Sequence, residues 1–156
     1  MKVYSLKAEQ FVNASIQECW SFFSNPRNLQ KITPTDMGFE ITDFDEKSMY
    51  AGQIIQYKVT PIAKIPMRWV TEITHVEEGK YFVDEQRFGP YALWHHKHFF
   101  SPIKNGVQMR DCIDYKLPLG WLGQWVQPLV VRPRLEEIFN YRKQVLTERF
   151  GAYEHA

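Results

Sequence analysis

The chain has 156 residues, enough for one domain with a sizeable core, and its 19 basic and 18 acidic residues nearly balance. It has no polybasic run, so it lacks the positive field that favours binding to nucleic acid or to an anionic membrane. We therefore expect no nucleic-acid partner.

The N-terminus and the cysteines indicate a cellular location. Residues 1–7 carry charges where a signal peptide needs an apolar stretch, and no later stretch reaches transmembrane length. Cys19 and Cys112 lack metal-ligand spacing and are expected to be small apolar side chains in a reducing compartment, with a disulfide left open. We expect a cytoplasmic protein without integral membrane association.

The first predicted elements are a strand and two short helices. Residues 3–13 alternate as a strand does. Ser15 and Glu18 have capping-box spacing, which starts a helix at residue 15 or 16. The pair Asn25-Pro26 supplies a cap and a first helical residue for a second short helix, which Thr33-Pro34 ends.

Strand signals then follow one another to residue 117. The pair Asn105-Gly106 suits the two positive-φ positions of a type I′ hairpin turn. Short connections favour an antiparallel meander, since parallel strands need long crossovers. The six predicted strands cover residues 38–44, 52–60, 67–77, 80–88, 91–102 and 107–117.

The C-terminal residues change to helical spacing and predict a long helix over 133–150. The residues that recur at helical spacing on one side of this helix are Leu135, Ile138, Phe139, Arg142, Val145, Leu146 and Arg149 or Phe150. Upstream, an apolar stripe ends at Pro128, which predicts a kinked helix or a short helix leading into the long one. The stripe consists of Trp121, Leu122, Trp125 and Val126. It is expected to pack over the open end of the sheet, with a lid or a membrane contact as alternatives.

Alternation predicts which strand residues share the inner face of the sheet. The inner set comprises Trp69, Thr71, Ile73 and His75; Phe82, Asp84, Gln86 and Phe88; Trp94, His96, His98 and Phe100; and Val107, Met109, Asp111, Ile113 and Tyr115. A register slip at Gly89-Pro90 would instead turn His95 and Lys97 inward.

Acid, amide and imidazole groups among aromatic rings suit a cavity wall better than a dry core, because buried polar groups need partners. Three interpretations stay open. The groups form a satisfied structural network, or they orient the head of an apolar ligand, or His96 and Asp111 act as acid and base in proton transfer.

The spacing His96-Lys97-His98 raises the question of a metal. Two imidazoles at i and i+2 can bind Zn²⁺ or Fe²⁺ if Asp84 or Asp111 supplies a third ligand from a neighbouring strand. The strand itself offers no carboxylate after His98, because residues 99–104 read Phe-Phe-Ser-Pro-Ile-Lys. The expectation is therefore no metal and no cofactor.

The order of elements predicts an α+β fold in a single domain, 1–156: a seven-stranded curved antiparallel sheet around a long C-terminal helix, with two short helices between the first two strands. This order resembles that of the START-like, or SRPBCC, superfamily with its Bet v 1-type helix-grip fold. It is most similar to bacterial ligand-binding members of the cell-division-inhibitor-like and polyketide-cyclase-like group. The residues that carry the resemblance are Trp69 with Ile73, Phe82 to Gln86 with Gly89-Pro90, Trp94 to Phe99, Asp111 with Tyr115 and Pro118, and Phe139 to Arg142.

The resemblance implies binding of a small hydrophobic or amphiphilic molecule between the sheet and the terminal helix. A cyclase or dehydratase that uses His96 and Asp111 is the alternative, and a non-ligand interaction module is a third, because fold does not fix function. The oligomeric state stays open. The predicted ligand-binding residues are Trp69, Thr71, Phe82, Asp84, Gln86, Trp94, His96, His98, Phe100, Met109, Asp111 and Tyr115.

Overall fold

A computed structural model of the protein describes residues 2–60, 65–118 and 125–154. Its strands are β1 (Tyr4–Val12), β2 (Glu40–Phe44), β3 (Ile54–Val59), β4 (Met67–Glu77), β5 (Tyr81–Phe88), β6 (Leu93–Ile103) and β7 (Gly106–Lys116). Its helices are α1 (Ile16–Phe23), two 3₁₀ helices (Pro26–Ile32 and Thr35–Met37), a π-helical turn (Gln127–Val131) and α2 (Arg132–Phe150).

The seven strands form one curved antiparallel sheet in the order β1-β7-β6-β5-β4-β3-β2. Strands β2 to β7 follow each other as a meander, while β1 pairs with the last strand. Consequently β1 and β2, which are consecutive strands along the chain, occupy opposite edges of the sheet. The predicted architecture is confirmed.

Helix α1 begins at a capping box and packs on the sheet through Trp20. The Ser15 hydroxyl accepts from the Glu18 amide at 3.2 Å, and the Ser15 amide donates to the Glu18 carboxylate at 2.9 Å, as the capping box predicts. Trp20 packs edge-on against the rings of Phe82 and Phe100, at centroid distances of 6.0 and 5.7 Å. The helix therefore covers one end of the inner face.

Both cysteines are free thiols. Cys19 belongs to α1 and its side chain is fully buried in the core, whereas Cys112 is half-buried. Burial and the nearby Glu18 carboxylate raise the pKa of the Cys19 thiol to about 12, so this residue behaves as an apolar side chain at neutral pH.

Two β-bulges change the faces predicted for β4 and β5. The register shifts between Ile73 and His75, and His75 is exposed instead of inward. A second shift accompanies the pairing of Val70 with Phe88, whose ring is 63% exposed. The inward predictions for His75 and Phe88 are therefore wrong, because an extra residue in one strand reverses the alternation beyond it.

The last hairpin also differs from its predicted geometry. Gly106 pairs with Ile103 in the ladder, and among the two predicted turn residues only Asn105 has a positive φ, at 64°. The turn is thus not a type I′ turn over Asn105-Gly106. Gly106 serves close packing instead, because a Cβ there would meet the Val12 carbonyl oxygen at 2.4 Å.

The terminal helical segment contains a π-helical turn over Gln127–Val131 and continues as α2, which agrees with the predicted irregularity at Pro128. The Gln127 side chain donates to the Tyr115 hydroxyl at 2.9 Å and fixes this turn to β7. Of the predicted stripe, Trp125 is 71% exposed and Val126 is 43% exposed, while 121 and 122 lie outside the described residues. No helix in the described part of the chain is long and apolar enough to span a membrane.

Candidate functional site

A cavity of about 390 Å³ lies between the inner face of the sheet, helix α2 and the first 3₁₀ helix. Its wall is mainly apolar, with contributions from each of these three elements. Representative apolar residues are Leu29, Ile32, Ile55, Val59, Ile73, Ile113, Leu135 and Ile138. Polar side chains enter the wall mainly from the central strands and from α2.

The structure brings seven of the predicted ligand-binding residues into this wall: Trp69, Thr71, Phe82, Asp84, Trp94, His96 and His98. It places the other five outside the wall: Gln86, Phe100, Met109, Asp111 and Tyr115. All of the first group lie on β4, β5 and β6, the centre of the sheet.

The five residues outside the wall have structural contacts instead. The Gln86 amide donates to the Tyr91 carbonyl at 2.7 Å and accepts from the Tyr91 amide at 3.1 Å, which braces the β5–β6 connection. Phe100 and Met109 belong to the core cluster beneath α1. Tyr115 accepts the bond from Gln127, and Asp111 lies below the two histidines.

Five charged or titratable side chains form an inner-face cluster at the wall, defined as Asp84, His96, His98, Asp111 and Arg142. Asp84 is directly opposite His96 in the β5–β6 ladder, and Asp111 is directly opposite His98 in the β6–β7 ladder. The side chains of the two histidines and Asp111 are 5 to 8% exposed. The sheet register therefore places two acids on either side of two imidazoles.

The imidazoles bond to these acids diagonally. His98 Nε2 donates to Asp84 Oδ2 at 2.7 Å, and His96 Nε2 donates to Asp111 Oδ1 at 2.9 Å. His96 Nδ1 lies 3.5 Å from Asp84 Oδ2. His98 Nδ1 lies 2.9 Å from Asp111 Oδ1, but its orientation leaves this nitrogen without a hydrogen bond.

Arg142, which lies on α2, connects this helix to the cluster. The sequence did not predict that Arg142 takes part in the cluster. Its Nη1 donates to Asp111 Oδ1 at 3.3 Å, and its guanidinium lies 4.9 Å from the Phe139 ring centroid. The residue is buried, with Nε unpaired. The available signal was a permanent charge on the inward face of the terminal helix, which requires a buried acid as partner.

An aromatic group adjoins the cluster within the same wall. Trp69, Tyr91 and Trp94 contact one another with ring centroids 4.8 to 5.6 Å apart, and Trp94 meets His96 edge-on at 6.0 Å. Trp69 Nε1 donates to the buried Thr71 hydroxyl at 3.0 Å. Rigid rings and imidazoles therefore form one continuous surface.

No protein-family model matches the chain, and no curated protein matches it in sequence. Solved structures match it closely in shape. The crystal structure of TTHA0849 from Thermus thermophilus has a TM-score of 0.72 at 14% identity, covering 94% of this chain and 97% of that one. The Bet v 1-like allergen Ara h 8.0201 has a TM-score of 0.61 at 11% identity, covering 94% and 99%.

The major latex-like protein 151 from Panax ginseng has a TM-score of 0.59 at 15% identity, covering 86% of this chain and 96% of that one. The protein has the Bet v 1-like helix-grip fold. Identities this low establish the fold alone, so the function must be argued from the site that the helix-grip fold carries here.

Burial and neighbouring charges set the protonation of the cluster. Burial opposes ionisation of Asp111, but the Arg142 guanidinium and the hydrogen bond from His96 hold its pKa well below the usual 3.8. Burial also opposes ionisation of Asp84, whose pKa is nevertheless lowered by His96 and His98. Both acids are therefore carboxylates at neutral pH.

The pKa values of the two histidines shift in opposite directions. Burial favours neutral His98, yet its contacts with Asp111 and Asp84 raise its pKa above the usual 6.5. Burial and the adjacent His98 lower the pKa of His96. Arg142 therefore balances one of the two carboxylates, and the raised pKa of His98 favours a second positive charge beside the helix-grip cavity. Neutral His96, which donates from Nε2, keeps an unprotonated Nδ1.

Proposed function

We propose that the protein binds a small, largely apolar molecule in the cavity and that the inner-face cluster orients its polar head. The observation that carries the proposal is a mainly apolar wall that meets a buried charged cluster at Asp84, His96 and His98. The volume of about 390 Å³ suits a small molecule, since such sites occupy roughly 300–1,000 Å³. The resemblance to Bet v 1-type proteins supports the same function, and the cytoplasmic location predicted from the sequence stays a prediction.

Affinity would come mainly from the apolar wall, at about 25 cal/mol for each Å² of apolar surface removed from water. The aromatic group contributes large rigid surfaces that lose little conformational freedom when a ligand binds. Trp69 and Trp94 would contact the part of the ligand nearest to the cluster, because Trp94 touches His96.

Orientation would come from acceptors that the cluster holds in fixed positions. Asp84 can accept a hydrogen bond, and the unprotonated Nδ1 of His96 can accept another. A head group that donates hydrogen bonds, such as a hydroxyl, fits this set.

The first test is native mass spectrometry of freshly purified protein, followed by denaturing extraction and identification of any bound molecule. We expect an organic molecule at one per chain, or a lipophilic compound from a library that raises the melting temperature. An empty protein that no member of the library stabilises would overturn the proposal.

A pair of variants then locates the binding site. Ile138→Trp fills the cavity and should abolish the stabilisation by the compound, because Ile138 lies in the wall. Lys143→Trp adds the same ring at an exposed position of α2 and should leave the stabilisation unchanged. Equal responses of the two variants would mean that the compound binds elsewhere.

The orientation claim has its own matched pair. His96→Gln removes a cluster imidazole, whereas His95→Gln removes the neighbouring imidazole on the outer face, where it contacts Glu85. We expect His96→Gln to weaken binding of the identified compound by at least about tenfold, the effect of losing one good hydrogen bond to a charged or buried partner. If His96→Gln binds the compound as tightly as wild type does, the polar head of the ligand does not contact His96.

A cyclase or dehydratase is the second candidate, and the protonation of His96 favours it. A neutral imidazole held by a carboxylate at 2.9 Å is a suitable general base. Asp111 lies outside the wall and would position His96 instead of acting as the acid. This candidate predicts pH-dependent turnover of a polyketide-like substrate that His96→Gln abolishes, and no turnover across a broad panel would contradict it.

A further inference from the structure

Each imidazole of the inner-face cluster directs one ring nitrogen to Asp84 and the other to Asp111. His98 Nε2 and His96 Nδ1 lie 2.7 and 3.5 Å from the same oxygen, Asp84 Oδ2. His96 Nε2 and His98 Nδ1 both lie 2.9 Å from Asp111 Oδ1. The two carboxylates are therefore not equivalent: Asp84 lies in the cavity wall and Asp111 lies outside it.

From this arrangement we infer that Asp84, His96 and His98 bind a divalent transition-metal ion, with Zn²⁺ and Fe²⁺ as the ions of matching chemistry. One ligand atom from each residue lies within 4.8 Å of the others. Metal–ligand distances of about 2.0–2.2 Å place neighbouring ligand atoms roughly 3 to 3.5 Å apart, so small side-chain shifts suffice. Two imidazoles and one carboxylate are a ligand set that both ions accept.

Asp111 supplies the support that such a site needs. A metal-bound histidine nearly always donates its second ring N–H to a carboxylate, a carbonyl or water, which fixes the ring and its tautomer. Here a single carboxylate oxygen faces the second nitrogen of both rings, and Arg142 holds that carboxylate in place. These partners exist without any metal.

His98 Nδ1 is an independent observation that points to the same site. This nitrogen is buried and faces Asp111 Oδ1, yet its orientation leaves it without a hydrogen bond. When an ion replaces the proton between His98 Nε2 and Asp84, the ring can turn and its Nδ1–H can donate to Asp111.

The geometry also leaves coordination positions open to the cavity. All three ligands come from adjacent strands and line the wall, so the side opposite the sheet is free for water or for part of a bound molecule. The expectation of no metal rested on the missing carboxylate after His98 in the same strand and on the rarity of a metal at this place in the superfamily that the chain resembles. Asp84 of the neighbouring strand β5, already considered as a third ligand, lies within reach of both imidazoles.

The test uses tag-free protein that has been treated with chelator and contains no organic ligand. Co²⁺ is titrated and followed by its visible absorption, and Zn²⁺ is titrated by calorimetry. We expect one ion per chain, an intense Co²⁺ band typical of four or five ligands, and displacement of Co²⁺ by Zn²⁺. A wild-type protein that binds neither ion stoichiometrically would overturn the inference, whatever the outcome for organic ligands.

Variants assign the ligands. His96→Gln and Asp84→Asn should weaken Zn²⁺ binding by more than a hundredfold, and Asp111→Asn should weaken it by about 10–100-fold, the range for outer carboxylates. His95→Gln, the outer-face control, should bind Zn²⁺ as wild type does. Equal losses in His95→Gln and His96→Gln, or none in His96→Gln, would contradict the assignment.

A second measurement needs no variant and therefore does not depend on their folding. The chain has five histidines, and a long-range ¹H–¹⁵N spectrum reports the ring nitrogens of each. Addition of Zn²⁺ should shift Nδ1 of His96 and Nε2 of His98 and leave His75 and His95 unchanged. Shifts confined to other histidines would place the ion elsewhere and overturn the inference.

Discussion

Successive residues of β6 place two polar groups on opposite faces of the same sheet, and the two groups differ mainly in their access to water. On the outer face, Lys97 Nζ donates to Asp114 Oδ2 at 2.7 Å, and these side chains are 30% and 33% exposed. On the inner face, His98 contacts Asp84 at the same 2.7 Å with side chains 8% and 18% exposed. The ion-pair distances are alike.

Access to water decides which of these polar contacts the stability of the fold depends on. An exposed pair can exchange its partner for water, so its loss costs little. A buried pair cannot, and removing one partner leaves an uncompensated charge. In the inner-face cluster, accordingly, Arg142 of α2 pairs with the buried carboxylate of Asp111.

Of the substitutions that compare the two faces, removal of Arg142 should lower the free energy of unfolding the most. Arg142→Met leaves Asp111 buried without its cation and should lower the free energy of unfolding by about 3–5 kcal/mol. Lys143→Met, on the exposed face of the same helix, should change it by no more than about 0.5 kcal/mol. Chemical denaturation measures both values, and similar costs would mean that burial does not distinguish the two faces.

The stability contributed by Asp111 on the inner face should depend more strongly on acidic pH than that contributed by Asp114 on the outer face. The pKa of folded Asp111 lies well below its unfolded value of 3.8, so its stabilisation is complete above that value and is lost as pH falls through the folded pKa. In the presence of chelator, Asp111→Asn should therefore be less stable than wild type at pH 7 but lose less stability below pH about 4. Asp114→Asn should flatten this acid dependence less, and equal flattening would contradict the comparison.

Gln86 occupies an intermediate position, half-buried and bonded twice to the Tyr91 backbone. Gln86→Ala removes both bonds next to the β5–β6 connection. We expect a loss of about 1–3 kcal/mol in the free energy of unfolding, the cost of leaving partly buried backbone groups unpaired. A loss as small as that of an exposed pair would show that water replaces the amide.

The smallest change in the free energy of unfolding is expected for the ion pair on the outer face. Lys97→Met removes the ion pair with Asp114 and should change the free energy of unfolding by about 0–1 kcal/mol. Added salt should reduce even that difference, because exposed charges are screened. A cost near that of Arg142→Met would place the outer pair in an unexpectedly dry environment.

The sequence predicted the inner-face histidines correctly because the β5–β6 ladder is regular from Tyr81 with Phe99 to Glu85 with His95. Alternation is a local property, and it holds wherever the register does. It failed at His75 and Phe88, where bulges reverse the faces. Bulges depend on how neighbouring strands fit together, and no residue pattern in β4 or β5 announced them.

Because alternation is a local property, it also could not show which inward residues would lie outside the cavity wall. Alternation correctly turned Asp111 and Tyr115 inward, and both are buried. It could not tell that Arg142 would reach Asp111 or that Gln127 would bond Tyr115, because both partners arrive with the terminal helical segment. The packing of that segment on the sheet is a tertiary property.

The placement of β1 and β2 at opposite edges has a consequence for the order in which the sheet assembles. β1 finds its partner only in β7; Ser5, for example, bonds to Asp114, 109 residues further along the chain. The hairpins from β4 to β7 join near neighbours, whereas this closure must bring distant residues together, which is slow. We therefore expect the meander to form first and β1 to be added last. During synthesis, the part of the inner face that α2 covers stays exposed until α2 leaves the ribosome.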